Sequence, residues 1–323
     1  MVDCVSDRGE EALLALIRKW LDTDAVRPVG IGDDGAVIAK IWTSPMVLCA
    51  DAMVEEVHFT RTFCSAASVA RKLVAVNVSD VAAMGARPEF ALLTTSFPAA
   101  LEWSWVEAFF QGLAEAASAL QFSIAGGDVT GTPGPIHLSM SVIGECVAPQ
   151  ALERSTAQLG DHVYVTGALG AAAFGLHTLR HEPGDAAVRP HSIQAYREPQ
   201  ARIDQGTTLA RWGQCHAVTD ISDGLSRDAL RLATASGVCI ELDVACVPIH
   251  PELLSQRRLF AERLALTGGE DYELLFTCST EPPIIAHCIG RVCDGPVGVA
   301  WVRNGQPIPP PVSDEEGFDH FER

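Results

Sequence analysis

The sequence predicts an α/β (α+β) protein of two domains, with mixed sheets flanked by helices. Three observations carry this. The chain has 323 residues, more than one ordinary domain of about 100–200 residues. Apolar runs of helical period alternate with short strand-like runs along most of the length. Strands in both halves end at turns of glycine and aspartate, Gly126-Gly127-Asp128 in one and Asp220-Ile221-Ser222-Asp223-Gly224 in the other, which suggests related architecture.

The elements follow in order. Glu10 to Leu21 reads as an amphipathic helix. The apolar run from Pro45 to Ala50 is a strand that ends at Asp51. Residues 65–84 read as a long helix, apolar on most sides and therefore buried. A strand from Phe90 to Phe97 and a second long helix from Leu101 to Leu120 come next. A short strand then reaches the Gly126-Gly127-Asp128 turn, and Ile136 to Val147 alternates as a strand does. Residues 1–148 are assigned to a first domain and 149–323 to a second. In the second, His162 to Thr166 is a strand, and Gly167 and Gly170 lead into a helix ending near Arg180. Residues 182–190 have turn chemistry. A strand through Val218 leads to Asp220, Leu225 to Ala235 is helical, Tyr272 to Cys278 is a strand, and Pro307 to Pro311 is irregular.

Composition excludes several function classes. Hydrophobic residues make up 48%, enough for substantial cores. The net charge of −18, from 23 basic and 41 acidic residues, argues against a nucleic-acid partner, which needs a basic face. It argues equally against an anionic membrane surface. The N-terminus lacks the basic and apolar segments of a signal peptide, and no apolar run approaches the roughly 18 residues of a membrane span. A cytoplasmic protein is expected. Ten cysteines form no CxxC pair and mostly sit in apolar runs such as Val238-Cys239-Ile240. They read as free thiols, without a zinc site.

Six segments place carboxylates among small residues: Asp33-Asp34, Asp51, Asp80, Asp128, Asp220 with Asp223, and Glu270-Asp271. Grouped aspartates are costly without a positive partner. Mg²⁺ with phosphate oxygens is the usual one, because it takes a few carboxylates and leaves its other positions to water and phosphate. Each segment also has an ordinary explanation. Asp80 lies inside an apolar helix on the face of Asn77, where it is either a metal ligand, a helix-end residue or a partner of Arg87. Asp33-Asp34 also fits a plain Asp/Gly turn. Gly126-Gly127-Asp128 can admit a phosphate to the backbone, a weak signal by itself. Asp223 can cap the helix from Leu225, which leaves Asp220 unexplained. No Ser-His-Asp or Cys-His pattern stands out, and His58 has no local mark of a base. Together the carboxylates exceed what caps and turns require, and phosphoryl transfer fits them, since its catalysis is largely positioning and charge neutralisation.

The strings Gly30-Ile31-Gly32-Asp33-Asp34-Gly35-Ala36, Val57-His58-Phe59, Ala75-Val76-Asn77-Val78-Ser79-Asp80-Val81-Ala82-Ala83-Met84-Gly85-Ala86, Gly268-Gly269-Glu270-Asp271-Tyr272-Glu273-Leu274 and Gly317-Phe318-Asp319-His320-Phe321 occur in this order. With Gly126-Gly127-Asp128 and Ile221-Ser222-Asp223-Gly224-Leu225 between them, the chain resembles the thiamine-monophosphate kinases of the aminoimidazole-ribonucleotide synthetase-like superfamily. The resemblance runs from about residue 9 to the C-terminus.

It implies that fold and transfer of the ATP γ-phosphate onto the phosphate of thiamine monophosphate. It also implies several Mg²⁺ ions, a homodimer built through the N-terminal domains, and a site between the domains. The N-terminal domain would carry ATP and metal, and the C-terminal domain would complete the nucleotide and substrate site. Metal ligands would fall on Asp34, Asp51, Asp80, Asp128, Asp220 and Asp223 as one cluster. ATP contacts would include Gly127, Asp128, Arg154 and Ser222, and substrate contacts His58, Glu270 and Phe318. The acceptor phosphate is already a nucleophile, so no catalytic base is assigned.

One departure stands out. The family usually has a Ser/Thr-Thr pair before the aspartate matching Asp51, whereas this chain has Cys49-Ala50. Two hydroxyls that can face metals are missing, and a backbone carbonyl or water would substitute. The competing readings are another ATP-using enzyme of the superfamily and a non-catalytic nucleotide-binding homologue. A selenophosphate synthetase would carry a reactive cysteine in a glycine-rich N-terminal segment, and Cys4 has no such setting.

Overall fold

The structure, a computed structural model, describes residues 3–21, 28–29, 31, 36–38 and 42–311. Packing divides the chain into two units, Met1–Val81 with Arg87–Glu145, and Ala82–Ala86 with Cys146–Arg323.

The first unit opens with α1 (Val5–Leu21). It starts earlier than its sequence pattern because a short helical segment precedes a kink at Gly9, whose φ of 77° suits glycine. A small antiparallel ribbon joins β1 (Pro28–Val29) to β2 (Val37–Ile38). The main sheet has four strands, β3 (Met46–Val54), β4 (Ala86–Pro98), β5 (Ser123–Thr132) and β6 (His137–Cys146), in the order β3-β6-β4-β5. β3 and β6 are antiparallel, and β4 and β5 are parallel. Helices α2 (Ala66–Ala83) and α3 (Trp103–Ala119) supply the apolar complement. Val69, Leu73, Val78 and Val81 of α2, and Phe109, Phe110 and Leu113 of α3, are fully buried, as are Met140 and Val142 of β6. Phe97 meets Phe109 and Phe110 edge-on, with ring centroids 6.3 Å apart in each pair.

Two sequence expectations change here. β3 runs three residues past Asp51, so this carboxylate lies within the strand; it interrupts an apolar run that resumes with Ala52, Met53 and Val54, paired as far as Val54↔His137. Gly126-Gly127-Asp128 is likewise no turn, because β5 continues through it beside β4 to Thr132. Partner strands set both lengths.

The second unit holds a seven-stranded mixed sheet, whose strands are β7 (His162–Val165), β8 (Cys215–Asp220), β9 (Cys239–Asp243), β10 (Leu274–Cys278), β11 (His287–Cys293), β12 (Gly298–Arg303) and β13 (Gln306–Pro307). Their order is β13-β12-β9-β11-β7-β10-β8, antiparallel except for β12 against β9. Its helices are α4 (Ala171–His181), α5 (Pro190–Arg197), α6 (Ile203–Trp212), α7 (Leu225–Ser236) and α8 (Arg258–Thr267). Val163, Val165, Leu225, Ala229, Leu232, Ile240, Leu275 and Ile289 form one continuous core. All ten cysteines are free, with Cys64, Cys146, Cys239 and Cys278 buried. No described helix is long and apolar enough to cross a membrane.

Candidate active site

In the first unit, Asn77 organises one corner. It is fully buried in α2, and its amide nitrogen donates to the Leu73 carbonyl at 2.9 Å. This fixes the side chain, whose Oδ1 accepts the Asp51 backbone N–H at 2.9 Å. Asp80 lies three residues on, on the same helix face. The structure therefore brings Asp51 and Asp80 to the same side of α2, Asp51 exposed and Asp80 half-buried. The Cys49 thiol donates to the Asn77 carbonyl at 3.2 Å, and Ala50 adds no polar group. Ser139 Oγ donates to the Asp51 carbonyl across the ladder at 3.3 Å.

Asp128 sits elsewhere. β3 and β5 are the two edges of the sheet, three steps of about 4.8 Å apart, or roughly 14 Å along the sheet. A single Mg²⁺, with ligand distances of about 2.1 Å, cannot be bound directly by both Asp51 and Asp128. Among the described residues, no three His, Cys, Asp or Glu side chains stand close enough to hold one ion. Within the first unit, Asp51 and Asp128 thus stand at opposite edges of one sheet.

Asp128 follows a bulge in β5, where Leu92 pairs with Gly126 although Ala91 pairs with Ile124. The bulge presses the backbones together. A Cβ on Gly127, whose φ is 154°, would lie 1.7 Å from the Leu93 carbonyl oxygen. Beside it is a cavity of ≈140 Å³, lined by Leu14, Ile17, Thr95, Phe110, Gly127 and Asp128. The Thr95 hydroxyl is buried there without a hydrogen-bond partner among the described residues.

His58 lies on the turn after β3. Its Nδ1 accepts the Val54 N–H at 3.0 Å, so the ring hydrogen is left on Nε2.

In the second unit, β8 delivers Asp220, which is buried. Gly224 is the N-cap of α7 and no side chain caps it, so Asp223 is not the cap that its position suggests. The acid that holds the loop before the helix is Asp228, inside the first turn of the helix. It reaches back to accept the Ser222 and Asp223 N–H groups on Oδ2 at 3.1 and 3.0 Å. Arg231 Nη1 joins Asp223 at 2.6 Å and Asp228 at 2.8 Å. Burial pushes the Asp228 carboxyl up to about 7, against the pull of the Asp223 N–H and Arg231.

The loop bearing Glu270 is bound to the same segment. The Glu270 and Tyr272 N–H groups donate to the Ser222 and Ile221 carbonyls at 2.7 and 2.8 Å, and the Ile221 N–H donates to the Glu273 carbonyl at 2.8 Å. Glu270 and Tyr272 have φ of 69° and 50°, left-handed values that cost a non-glycine residue about 1–3 kcal/mol. The neighbouring contacts hold them there. Asp271 accepts the N–H of Gly170 at 2.7 Å and of Ala172 at 3.4 Å, at the start of α4. Burial pushes its carboxyl up to about 7 despite those donors. Buried Glu273 is bound through both oxygens by Arg202, at 2.8 and 2.5 Å, and by the Thr166 hydroxyl at 2.5 Å. Gly167 has no room for a side chain there, because a Cβ would lie 2.3 Å from Glu273 Oε1.

Ser222, Asp223 and Glu270 are thus brought together, with Asp220 adjacent in the chain. Arg154 is not. Its carbonyl accepts Ser236 Oγ at 2.6 Å, at the far end of the 12-residue α7, about 18 Å from the helix start. Asp34 and Phe318 lie outside the described residues. Sequence reading missed Asp228 as the holder of the 222–223 loop, although an acidic residue in a helix's first turn is a signal for it. The Arg202–Glu273 pair spans 71 residues and has no local signal.

The family signature described as AIR synthase related protein, N-terminal domain, matches residues 32–146, and its C-terminal counterpart matches residues 158–302. The thiamine-monophosphate kinase of Aquifex aeolicus (strain VF5) is 36% identical over 306 residues, 90% of this chain and 94% of that protein. That of Bacillus subtilis (strain 168) is 36% identical over 256 residues, 78% of each chain. A solved structure described as AaThiL complexed with AMPPCP and TMP superposes with a TM-score of 0.75 at 34% identity, covering 98% of both chains. Sequence, fold and the two aspartate-bearing units agree: this chain belongs to the thiamine-monophosphate kinase family.

Proposed function

We propose that the protein transfers the γ-phosphate of ATP to the phosphate of thiamine monophosphate, giving thiamine diphosphate and ADP, with Mg²⁺. The observation that carries this is the Asp51–Asn77–Asp80 corner, where Asn77 holds the Asp51 main chain against the helix that bears Asp80, in a chain whose relatives are thiamine-monophosphate kinases. The donor set fits a hard cation. It consists of oxygens, and the one thiol nearby, on Cys49, is engaged with a carbonyl. Asp51 and Asp80 would hold metal at one edge of the sheet and Asp128 at the other, while Asp220 and Asp223 contribute from the second unit. Asp34 is assigned to the same set on the resemblance. With Ala50 in place of a hydroxyl residue, carbonyl oxygens and water would complete the coordination near Asp51. When bound, Mg²⁺ neutralises phosphate charge, so two polyanions can approach.

The chain's own groups supply the remainder. Gly127 is a nucleotide contact on the resemblance; it lies beside the cavity that Asp128 borders, and its missing side chain makes room for the Leu93 backbone. Ser222 and Arg154 are nucleotide contacts on the resemblance, with the Arg154 main chain held beside the C-terminal end of α7. His58 offers its Nε2–H to an acceptor oxygen, Glu270 offers a carboxylate to the thiamine cation, and Phe318 is assigned an aromatic contact with the thiamine rings. No side chain is required as a base, because the acceptor phosphate is ionised at neutral pH. We further infer a homodimer through the first unit, supported by the β3 edge strand, where Met46 and Leu48 are 48% and 70% exposed. The cytoplasm suits the ten free thiols.

The test is incubation with ATP, Mg²⁺ and thiamine monophosphate, followed by chromatographic separation of the thiamine phosphates. Thiamine diphosphate is the expected product, and its absence would refute the assignment. Asp80→Asn and Asp128→Asn should abolish transfer and weaken Mg²⁺ binding measured by calorimetry. Near-normal turnover in either variant would sink the metal assignment.

A further inference from the structure

Lys72 is the feature of the first unit that nothing above uses. It lies in the middle of α2 and is 1% exposed. An ammonium so placed is expensive, and a methionine would fill the same length of space without that cost. The lysine nitrogen has a specific task in the structure: Nζ donates to the His58 carbonyl at 3.1 Å.

The segment it grips is an unusual one. The Val57 and His58 N–H groups both donate to the Val54 carbonyl, at 3.1 and 2.9 Å, and the Glu56 N–H donates to the Phe59 carbonyl at 2.7 Å. Glu56 has a φ of 69°, strained for a residue with a side chain. Buried Glu55 bonds Arg61 at 2.5 Å and the Ile136 N–H at 3.3 Å. The His58 ring folds back onto Val54 through Nδ1. His58 is therefore held at its ring by β3 and at its carbonyl by α2. Without the ammonium, the carbonyl end loses its tie to the rigid helix, and the peptide plane that sets the ring's direction can rotate.

We propose that Lys72 is a positioning residue for the acceptor substrate, fixing the His58 main chain so that its Nε2–H points in one direction. This rests on His58 being a substrate contact, as read above.

A double-mutant cycle tests it, with KM read separately for thiamine monophosphate and for ATP. His58→Ala is expected to raise KM for thiamine monophosphate. Lys72→Met should raise the same KM about tenfold, the scale of a sub-ångström misplacement, and leave KM for ATP within about twofold. In the His58→Ala background Lys72→Met should add nothing. Lys72→Gln, which keeps an N–H donor, should recover part of the loss and serves where Lys72→Met does not fold. Long-range ¹H–¹⁵N spectra should show His58 as the Nε2–H tautomer in the wild type and a mixture in Lys72→Met. Equal effects of Lys72→Met in both backgrounds overturn the proposal. So does a loss that falls alike on both substrates with an unchanged His58 tautomer. If His58→Ala itself leaves both KM values unchanged, the reading of His58 is at fault, and the proposal falls with it.

Discussion

Replacing Asp228 with alanine removes the group that ties Ser222 and Asp223 to α7. The side chain is 2% exposed, and one of its oxygens, Oδ2, receives both loop N–H groups, at 3.1 and 3.0 Å. Burial pushes the carboxyl up to about 7, so both its neutral and its charged form count at neutral pH. Each bond then falls between the neutral value of about 1 kcal/mol and the charged value of about 1.5–3 kcal/mol. Taking about 1.5 kcal/mol for each gives about 3 kcal/mol. Arg231 is 44% exposed, so its pairing adds at most about 1 kcal/mol after screening. Asp228→Ala is therefore expected to destabilise the second unit by about 3 kcal/mol. Asp228→Asn can keep an oxygen toward both N–H groups but turns an amide NH₂ against Arg231, so it should cost only about 1 kcal/mol. Urea unfolding followed by circular dichroism measures both variants. The loop carries two assigned contacts, so kcat/KM for ATP should fall by up to about 10²-fold in the alanine variant if the loop moves by about 1 Å. Equal stability of the alanine and asparagine variants, or an unchanged kcat/KM for ATP, would refute the reasoning.

Two further outcomes follow from buried polar groups. Thr95→Val removes a buried hydroxyl with no partner among the described residues and should stabilise the protein by up to about 1 kcal/mol, seen as a higher melting temperature; a lower one would show that the hydroxyl is bonded. His177 and His250 are both held below the usual imidazole range, mainly by burial. The unfolded chain binds those protons near pH 6.5 while the folded chain does not, so their contribution to stability is present above pH 6.5 and is lost as the pH falls below it. Melting temperatures between pH 7.5 and 5.5 should drop toward acid, with a shallower slope in His250→Gln. An unchanged slope would rule that residue out as a source.

The long helices α2 and α3 were legible because their apolar periodicity is local and spans many turns. β3 and β5 were legible only in part, since their continuation through Asp51 and Asp128 depends on β6 and β4, which the apolar pattern of each strand does not report. α5, α6 and α8 and strands β9 and β11–β13 were passed over, being short and weakly patterned, with stability that comes from packing more than from propensity.

The site divides in the same way. Ordered carboxylate strings in the sequence were enough for the family and the candidate ligands, because aspartates beside small residues have few purposes other than caps, turns and metal–phosphate binding. The tertiary structure alone decided how they are arranged. It put Asp51 and Asp128 on opposite edges of one sheet, tied the Asp51 main chain to Asn77 of α2, and placed the Arg154 carbonyl at the C-terminal end of α7. It also assigned the supporting roles of Lys72, Asp228, Asp271 and Arg202. For Asp271 and Arg202 those partners lie 101 and 71 residues away. A hydrogen bond is set by ångström distances between folded segments, and neighbouring residue types carry no record of them.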